Sequence, residues 1–289
     1  MLLHPAGPFA LAAALRFLDS FAPAGAAAQG TAHEGAHVID GRAALVRVRE
    51  VAPGRLEVTP DGAAPLVRRM FSLDWDGDSF DRVGDPVVRG LRERFPGLRP
   101  VLFPTPWEAL CWSVIGQRIS IGQAARLKDR LRDALGPEAG GRRAFPPPEA
   151  LLRRGVPDTV RLPDVKADRL MALAERGAAG ELDADRLLAM APEEARVWLE
   201  RSPGIGPWSS AFVAIRAVGF PDLLPVGERR LAASVQRHYG LPAPPADAEL
   251  AAHAERWSPF RAWAAFLLRV AAGTEAPRAA RAPRPARGM

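Results

Sequence analysis

The sequence predicts a mainly α protein: a small α+β N-terminal domain with an antiparallel sheet over residues 1–95, an all-helical body over residues 96–273, and a disordered basic tail over residues 274–289. Three observations carry that expectation. The stretch from His37 to Pro60 alternates apolar and charged residues with a period of two, the spacing of a half-buried strand. From about residue 100 onward the apolar spacing becomes three and four, the spacing of one helix face. The last sixteen residues set four Arg and one Glu among Ala and Pro, a composition that builds no core.

Taken in order, a short helix comes first, with Phe9, Leu11, Leu15 and Leu18 on one face. Val46 and Val48 then alternate with Arg47 and Arg49, and Leu56 and Val58 flank Glu57. Pro53-Gly54 lies between the two runs, so an antiparallel hairpin is expected. "DWDGD", residues 74 to 78, has the look of a calcium loop. Gly77, however, falls at its fourth position where an EF-hand needs glycine at the sixth, and the twelfth is Asp85, so a polar turn is expected instead. In "TPWEALCWSVIG" Thr105 is placed as N-cap, Pro106 at the first helical position and Glu108 at the third, a capping box. Trp107, Leu110, Cys111, Val114 and Ile115 form its apolar stripe, which makes Cys111 a core residue. Further helices are expected at 122–135, 164–177, 184–190 and 192–201. A last one starts at Ser258-Pro259, buries Phe260, Trp263, Ala264 and Leu267, and is ended by Gly273.

Composition narrows the function classes. Lys and Arg exceed Asp and Glu by 39 − 33 = +6, and the last sixteen residues supply 4 − 1 = +3 of it. The remainder is modest for a nucleic-acid binder, so any such reading rests on local geometry. A single cysteine excludes an intramolecular disulfide and a four-thiolate cluster, and a reducing, cytoplasmic setting is expected. The apolar N-terminal run has no Lys or Arg before it and is interrupted by Arg16 and Asp19, unlike a signal peptide. No uninterrupted apolar run approaches the length of a membrane span. His4, His33, His37, His238 and His253 show no HExxH spacing and have no cysteine partners, so no metal site is expected. No GxSxG elbow or P-loop occurs.

The chemistry concentrates in "SPGIGPWSSAFVAIRAVGFPDLLPVGERRL", residues 202 to 231. Gly204 and Gly206 let the backbone turn tightly and approach a ligand, and Ile205 between them plugs the turn into the core. Amides at the next helix start are donors suited to a phosphate. The same pattern also fits a plain αα-hairpin. With its surroundings, it resembles the helix-hairpin-helix, about residues 192–218, of a superfamily of DNA base-excision glycosylases, and in particular DNA-3-methyladenine glycosylase II. The resemblance runs in order through "GPFALAAALRFLDSF", "LVRRMFSLDWDGD", "FPGLRP", "WEALCWSVIGQRISIGQAARL", the hairpin stretch and "AERWSPFRAWAAFLLR".

That resemblance implies a helix-hairpin-helix glycosylase body acting on double-stranded DNA as a monomer. The implied reaction is excision of alkylated purines by base flipping and hydrolysis. An alternative is a damaged-DNA-binding protein of the same fold with weak or no catalysis. Arg118 falls at the family's wedge position with Gln117 beside it, and Gly204, Ile205, Gly206 and Arg229 fall where DNA is met. Trp208 and Phe212 match aromatic pocket positions, which attract cationic bases. Trp208 stands where lyase-type relatives carry a nucleophilic Lys, so attack by water without lyase activity is expected. The family's catalytic Asp lies six residues after the acid of its "PD" pair. Counting from Asp222 gives Glu228, and whether Glu228 or Asp222 lies closer to the sugar is left open.

Glu228 carries its charge roughly 1.5 Å further from the backbone than Asp, and displacements of that size change rates strongly. Two more departures stand nearby. Arg229 follows the carboxylate where some relatives have an aromatic, and Arg269 occupies a pocket Trp position, where it would repel a cationic base. No cofactor is expected beyond a monovalent cation at the hairpin carbonyls, which the resemblance implies.

Overall fold

The computed structural model describes residues 1–21, 23, 28–29, 31–225 and 227–275. The expected tail beyond residue 275 lies outside them. Strands β1 (Leu2–Leu3), β2 (Ala28–Gln29), β3 (Ala32–Ile39), β4 (Arg42–Ala52) and β5 (Arg55–Thr59) form one antiparallel sheet in the order β1-β5-β4-β3-β2. The period-two pattern does what it implies: Val46, Val48, Leu56 and Val58 are buried, and Val48 sits opposite Val58 in the register. Helices α1 (Leu11–Ser20) and α2 (Ala64–Met70) cover that face, with Leu15, Val67 and Phe71 in the shared core.

The helical body follows the shift in spacing. It comprises α3 (Gly77–Asp81), α4 (Pro86–Arg94), α5 (Pro106–Ile115), α6 (Ile121–Leu135), a two-stranded ribbon of β6 (Glu138–Ala139) and β7 (Arg142–Arg143), α7 (Pro148–Arg154), α8 (Asp164–Ala178), α9 (Ala184–Leu188), α10 (Pro192–Glu200), α11 (Pro207–Val213), α12 (Arg229–Tyr239), α13 (Asp247–Ala254) and α14 (Arg261–Glu275). Two cores hold it. One joins α5 through α11, with Leu110, Ile115, Leu170, Leu199 and Ile205 inside. The other joins α3 and α4 to the last three helices, through Phe80, Leu91, Val235, Trp257 and Trp263. Among the described residues, no helix is long and apolar enough to cross a membrane.

Two local expectations need correction. Thr105 caps α5 by accepting from the Glu108 amide, yet the Glu108 carboxylate does not return to the cap. It pairs with Lys128 Nζ of α6 at 2.6 Å in a buried position, where an unpaired charge would be costly. The capping box forms one helix later, between Ser120 and Gln123. Gly273 does not end α14, which continues to Glu275; one glycine costs about 1 kcal/mol in a helix, too little to stop one held by packing. The "DWDGD" turn is organised by Asp76, which accepts from the Ser79 amide and caps α3.

Candidate active site

The hairpin joins α10 to α11 through residues 201–206. Gly204 turns with φ +80°, and a Cβ there would collide with the Arg169 side chain, so position 204 requires glycine twice over. Ile205 is buried in the α5–α11 core. Pro207, at the first position of α11, has no amide proton, which leaves the N–H groups of Trp208 and Ser209 at the helix start.

Gln117, expected beside the wedge as a DNA contact, is engaged inside the protein at both polar ends. Its Nε2 donates to Gly204 O at 2.7 Å, and its Oε1 accepts from an Arg169 Nη at 2.6 Å. Lys166, one turn before Arg169 on α8, donates to the Ile115 and Gln117 carbonyls at 2.8 and 2.7 Å; burial lowers its pKa. Gln117 therefore ties the end of α5 to the hairpin. Arg118 follows it with φ +57° and is exposed. Its guanidinium has no partner among the described residues. Arg169 and Lys166 were not singled out by sequence reasoning, because on α8 they read as ordinary polar-face residues and their partners lie some fifty residues away.

Beyond α11 the chain makes a π-helical turn over Ala214–Val218, closed by Gly219 in the left-handed region. Gly219 N donates to Ala214 O, and the Arg216 carbonyl accepts from Phe103 N. Such turns are rare and concentrate at functional sites. Trp208 is 46% exposed and stacks on Phe212, with ring centroids 5.4 Å apart and planes 6° apart. Phe212 meets Phe103 edge-on, and Phe103 meets Phe21. The Arg216 guanidinium, wholly buried, lies over Phe17, Phe21 and Phe266 at 5.2, 4.8 and 5.4 Å. Burial pushes its pKa down to about 10, and the charge of Arg269 adds to that.

Glu228 is the N-cap of α12: one carboxylate oxygen accepts from Arg230 N at 3.1 Å. The other lies 3.9 Å from Arg269 Nε, with the Glu228 side chain 24% exposed and that of Arg269 30% exposed. A Cβ on Gly227 would touch the Trp208 ring at 3.9 Å, so the carboxylate and the exposed indole border the same opening. Burial lowers the Arg269 pKa while Glu228 opposes the shift. Arg229, next to Glu228, is exposed.

Asp222 and Glu228 are thereby separated in role. Asp222 is held by Arg261 in an ion pair at 2.8 Å, accepts from the Arg261 amide and from Ser258 Oγ, and anchors the start of α14. Glu228 keeps one oxygen directed at Arg269 and the opening. The arrangement can bind an aromatic ring on Trp208, present a carboxylate to a developing positive charge, and offer guanidinium donors from Arg269.

No family model matches the chain. The chain is 30% identical over 210 residues to the DNA-3-methyladenine glycosylase of Bacillus subtilis, covering 70% of this chain and 69% of that protein. Among solved structures, the 3-methyladenine DNA-glycosylase of Archaeoglobus fulgidus superposes with a TM-score of 0.82 at 22% identity, over 96% of this chain and 99% of that one. The 8-oxoguanine glycosylase/lyase of Clostridium acetobutylicum, in complex with double-stranded DNA, superposes with a TM-score of 0.63 at 16% identity, over 84% of this chain and 86% of that one.

Proposed function

The chain belongs to the DNA-3-methyladenine glycosylases of the helix-hairpin-helix superfamily, and from that premise we propose that it excises damaged purines from duplex DNA by flipping the nucleotide out and hydrolysing its N-glycosidic bond at Glu228. Alkylated purines are the class that its relatives' names give. The observation that carries the reading is the Glu228 carboxylate at the opening beside Trp208, with one oxygen free of the helix cap.

An extruded base stacks on Trp208, and Phe212 holds the indole in place. As the bond to the base lengthens, positive charge grows on the sugar, and a fixed carboxylate stabilises it and orients the attacking water. The cap bond from Arg230 N and the guanidinium of Arg269 fix the longer glutamate side chain, which addresses the extra methylene. Trp208 carries no amine, so water is the nucleophile and no lyase step follows. Arg118, exposed and unpartnered, fills the gap left in the duplex, while the hairpin amides and Arg229 meet phosphates. The carbonyls of Ser202 and Gly204 already accept from Ile205 N and Gln117 Nε2. Each keeps a second lone pair, so the hairpin suits a monovalent cation, which would brace the loop against phosphate; no step of the reaction passes through it.

The test is base release from damaged duplex DNA under single-turnover conditions. Glu228→Gln is expected to slow release by at least about a hundredfold, with DNA affinity nearly unchanged and Glu228→Asp retaining part of the rate. Undiminished release by Glu228→Gln removes the carboxylate from the mechanism.

A further inference from the structure

Arg269 is a half-buried guanidinium facing the opening, and it makes no hydrogen bond to any other residue; its nearest charged partner, Glu228, is 3.9 Å away. A guanidinium carries five N–H donors. Leaving them unsatisfied in a partly desolvated place is costly, so the geometry calls for an acceptor supplied from outside. The charges around it exclude a cationic guest. Arg216 and Arg230 both act on Arg269 as like charges, Asp222 is tied to Arg261, and Glu228 is left as the one carboxylate among these groups. The rings that would attract a cation are occupied, since Phe17, Phe21 and Phe266 already face Arg216.

Building on the glycosylase reading above, we propose that Arg269 makes this pocket a reader of uncharged 6-oxopurine lesions, the deamination product hypoxanthine being the simplest, and that it disfavours purines made cationic by N-methylation. The planar fork of arginine fits the O6 and N7 acceptors of a 6-oxopurine in a bidentate pair. Methylation at N7 removes one acceptor and adds a positive charge. Guanine offers the same edge but is held in a full Watson–Crick pair, whereas a deaminated purine is more weakly paired and is extruded at lower cost.

The same contact serves the chemistry. When the N9–C1′ bond of an uncharged purine breaks, the bonding electrons leave with the base, which departs as an anion. Water adds its oxygen to C1′, and a proton passes from that water to the Glu228 carboxylate. Arg269 at O6 and N7 stabilises the negative charge that develops on the leaving base. A cationic methylpurine leaves as a neutral molecule and gains nothing from that guanidinium.

The experiment measures single-turnover release of hypoxanthine and of 7-methylguanine from the same duplex context, each divided by its spontaneous rate, for wild type, Arg269→Trp and Arg269→Lys. Both bases carry O6, so the comparison isolates charge and the N7 acceptor. The wild-type enhancement for hypoxanthine is expected to exceed that for 7-methylguanine, and Arg269→Trp to shift the ratio toward 7-methylguanine by about tenfold or more. Arg269→Lys, which keeps the charge but loses the fork, falls between them. A ratio of two rates does not depend on how much of a variant is folded. Wild type that favours 7-methylguanine, or a ratio indifferent to Arg269→Trp, overturns the proposal while leaving the glycosylase reading intact; release of neither base overturns both. Retained release in Glu228→Gln instead sinks the catalytic reading alone, because the ratio then still reports on Arg269.

Discussion

Two arginines in different parts of the molecule are similarly withdrawn from water and behave oppositely. Arg99, between the sheet domain and the last helix, is 2% exposed, and its donors reach the carbonyls of Ala6, Pro8, Ser72 and Trp75 at 2.6, 2.8, 3.0 and 3.1 Å. Its guanidinium also lies over Trp263. Gly77 leaves it room, since any side chain there would run into an Arg99 Nη. Arg269 has no hydrogen-bond acceptor at all. Burial lowers the pKa of both, to about 10 for Arg99. The difference teaches that a withdrawn charge whose donors are all engaged is a strut, whereas one with unengaged donors is waiting for a ligand.

The largest expected effect breaks the strut. Arg99→Leu strands at least four buried carbonyls and should cost about 3–5 kcal/mol in a urea titration. Arg269→Leu should stay within about 1 kcal/mol. A loss below about 1 kcal/mol for Arg99→Leu would mean that water replaces the guanidinium, and the contrast between the two sites would fail.

A second difference between the regions is their response to acid. His33 and His37 lie on the buried face of β3 on either side of Gly35, and both His33 ring nitrogens and His37 Nε2 have no hydrogen-bond partner. Burial pushes their pKa values from 6.5 to about 3 and about 4, aided for His33 by His37 and Arg142 and for His37 by Lys128, while Glu34 opposes the shift in His33. A depressed histidine pKa means that the unfolded chain binds more protons below 6.5, so the stability these residues contribute is complete above that pH and is lost as the pH falls toward 4 and 3. At pH 5 each should cost about 2 kcal/mol relative to neutral pH. Replacing both with Leu should flatten the acid limb of a denaturation series, and an unchanged limb would assign it to other groups.

Much of this was legible in the chain. The sheet face, the α5 stripe and the buried Ile205 followed from spacing alone, because burial selects one face of each element. The Asp40-Gly41 pair, with φ +48° and +74°, joins β3 to β4; it is the two-residue hairpin signal that would have placed β3, and it was not read. Long-range hydrogen bonds were out of reach. Nothing local to Gln117 announces that it braces Gly204, and nothing local to Asp222 announces that Arg261 holds it. Counting did reach Arg269 and Glu228 separately, but only folding brings their side chains within 3.9 Å.

The smallest effect sharpens the comparison at a third arginine. Arg118 is exposed, holds a left-handed backbone and has no partner, so it contributes nothing to the fold that a strut would. Glycine adopts that φ without strain but loses more entropy on folding, so Arg118→Gly should change stability by no more than about 0.5 kcal/mol, in the stabilising direction if strain dominates. Its loss should appear only on DNA. The slope of log affinity against log salt should fall by about one for a single phosphate contact removed, and base release should slow because the extruded nucleotide can swing back into the stack. An unchanged slope with unchanged release would place Arg118 off the DNA. An unchanged slope with slowed release would place it among the bases as a wedge, away from phosphate.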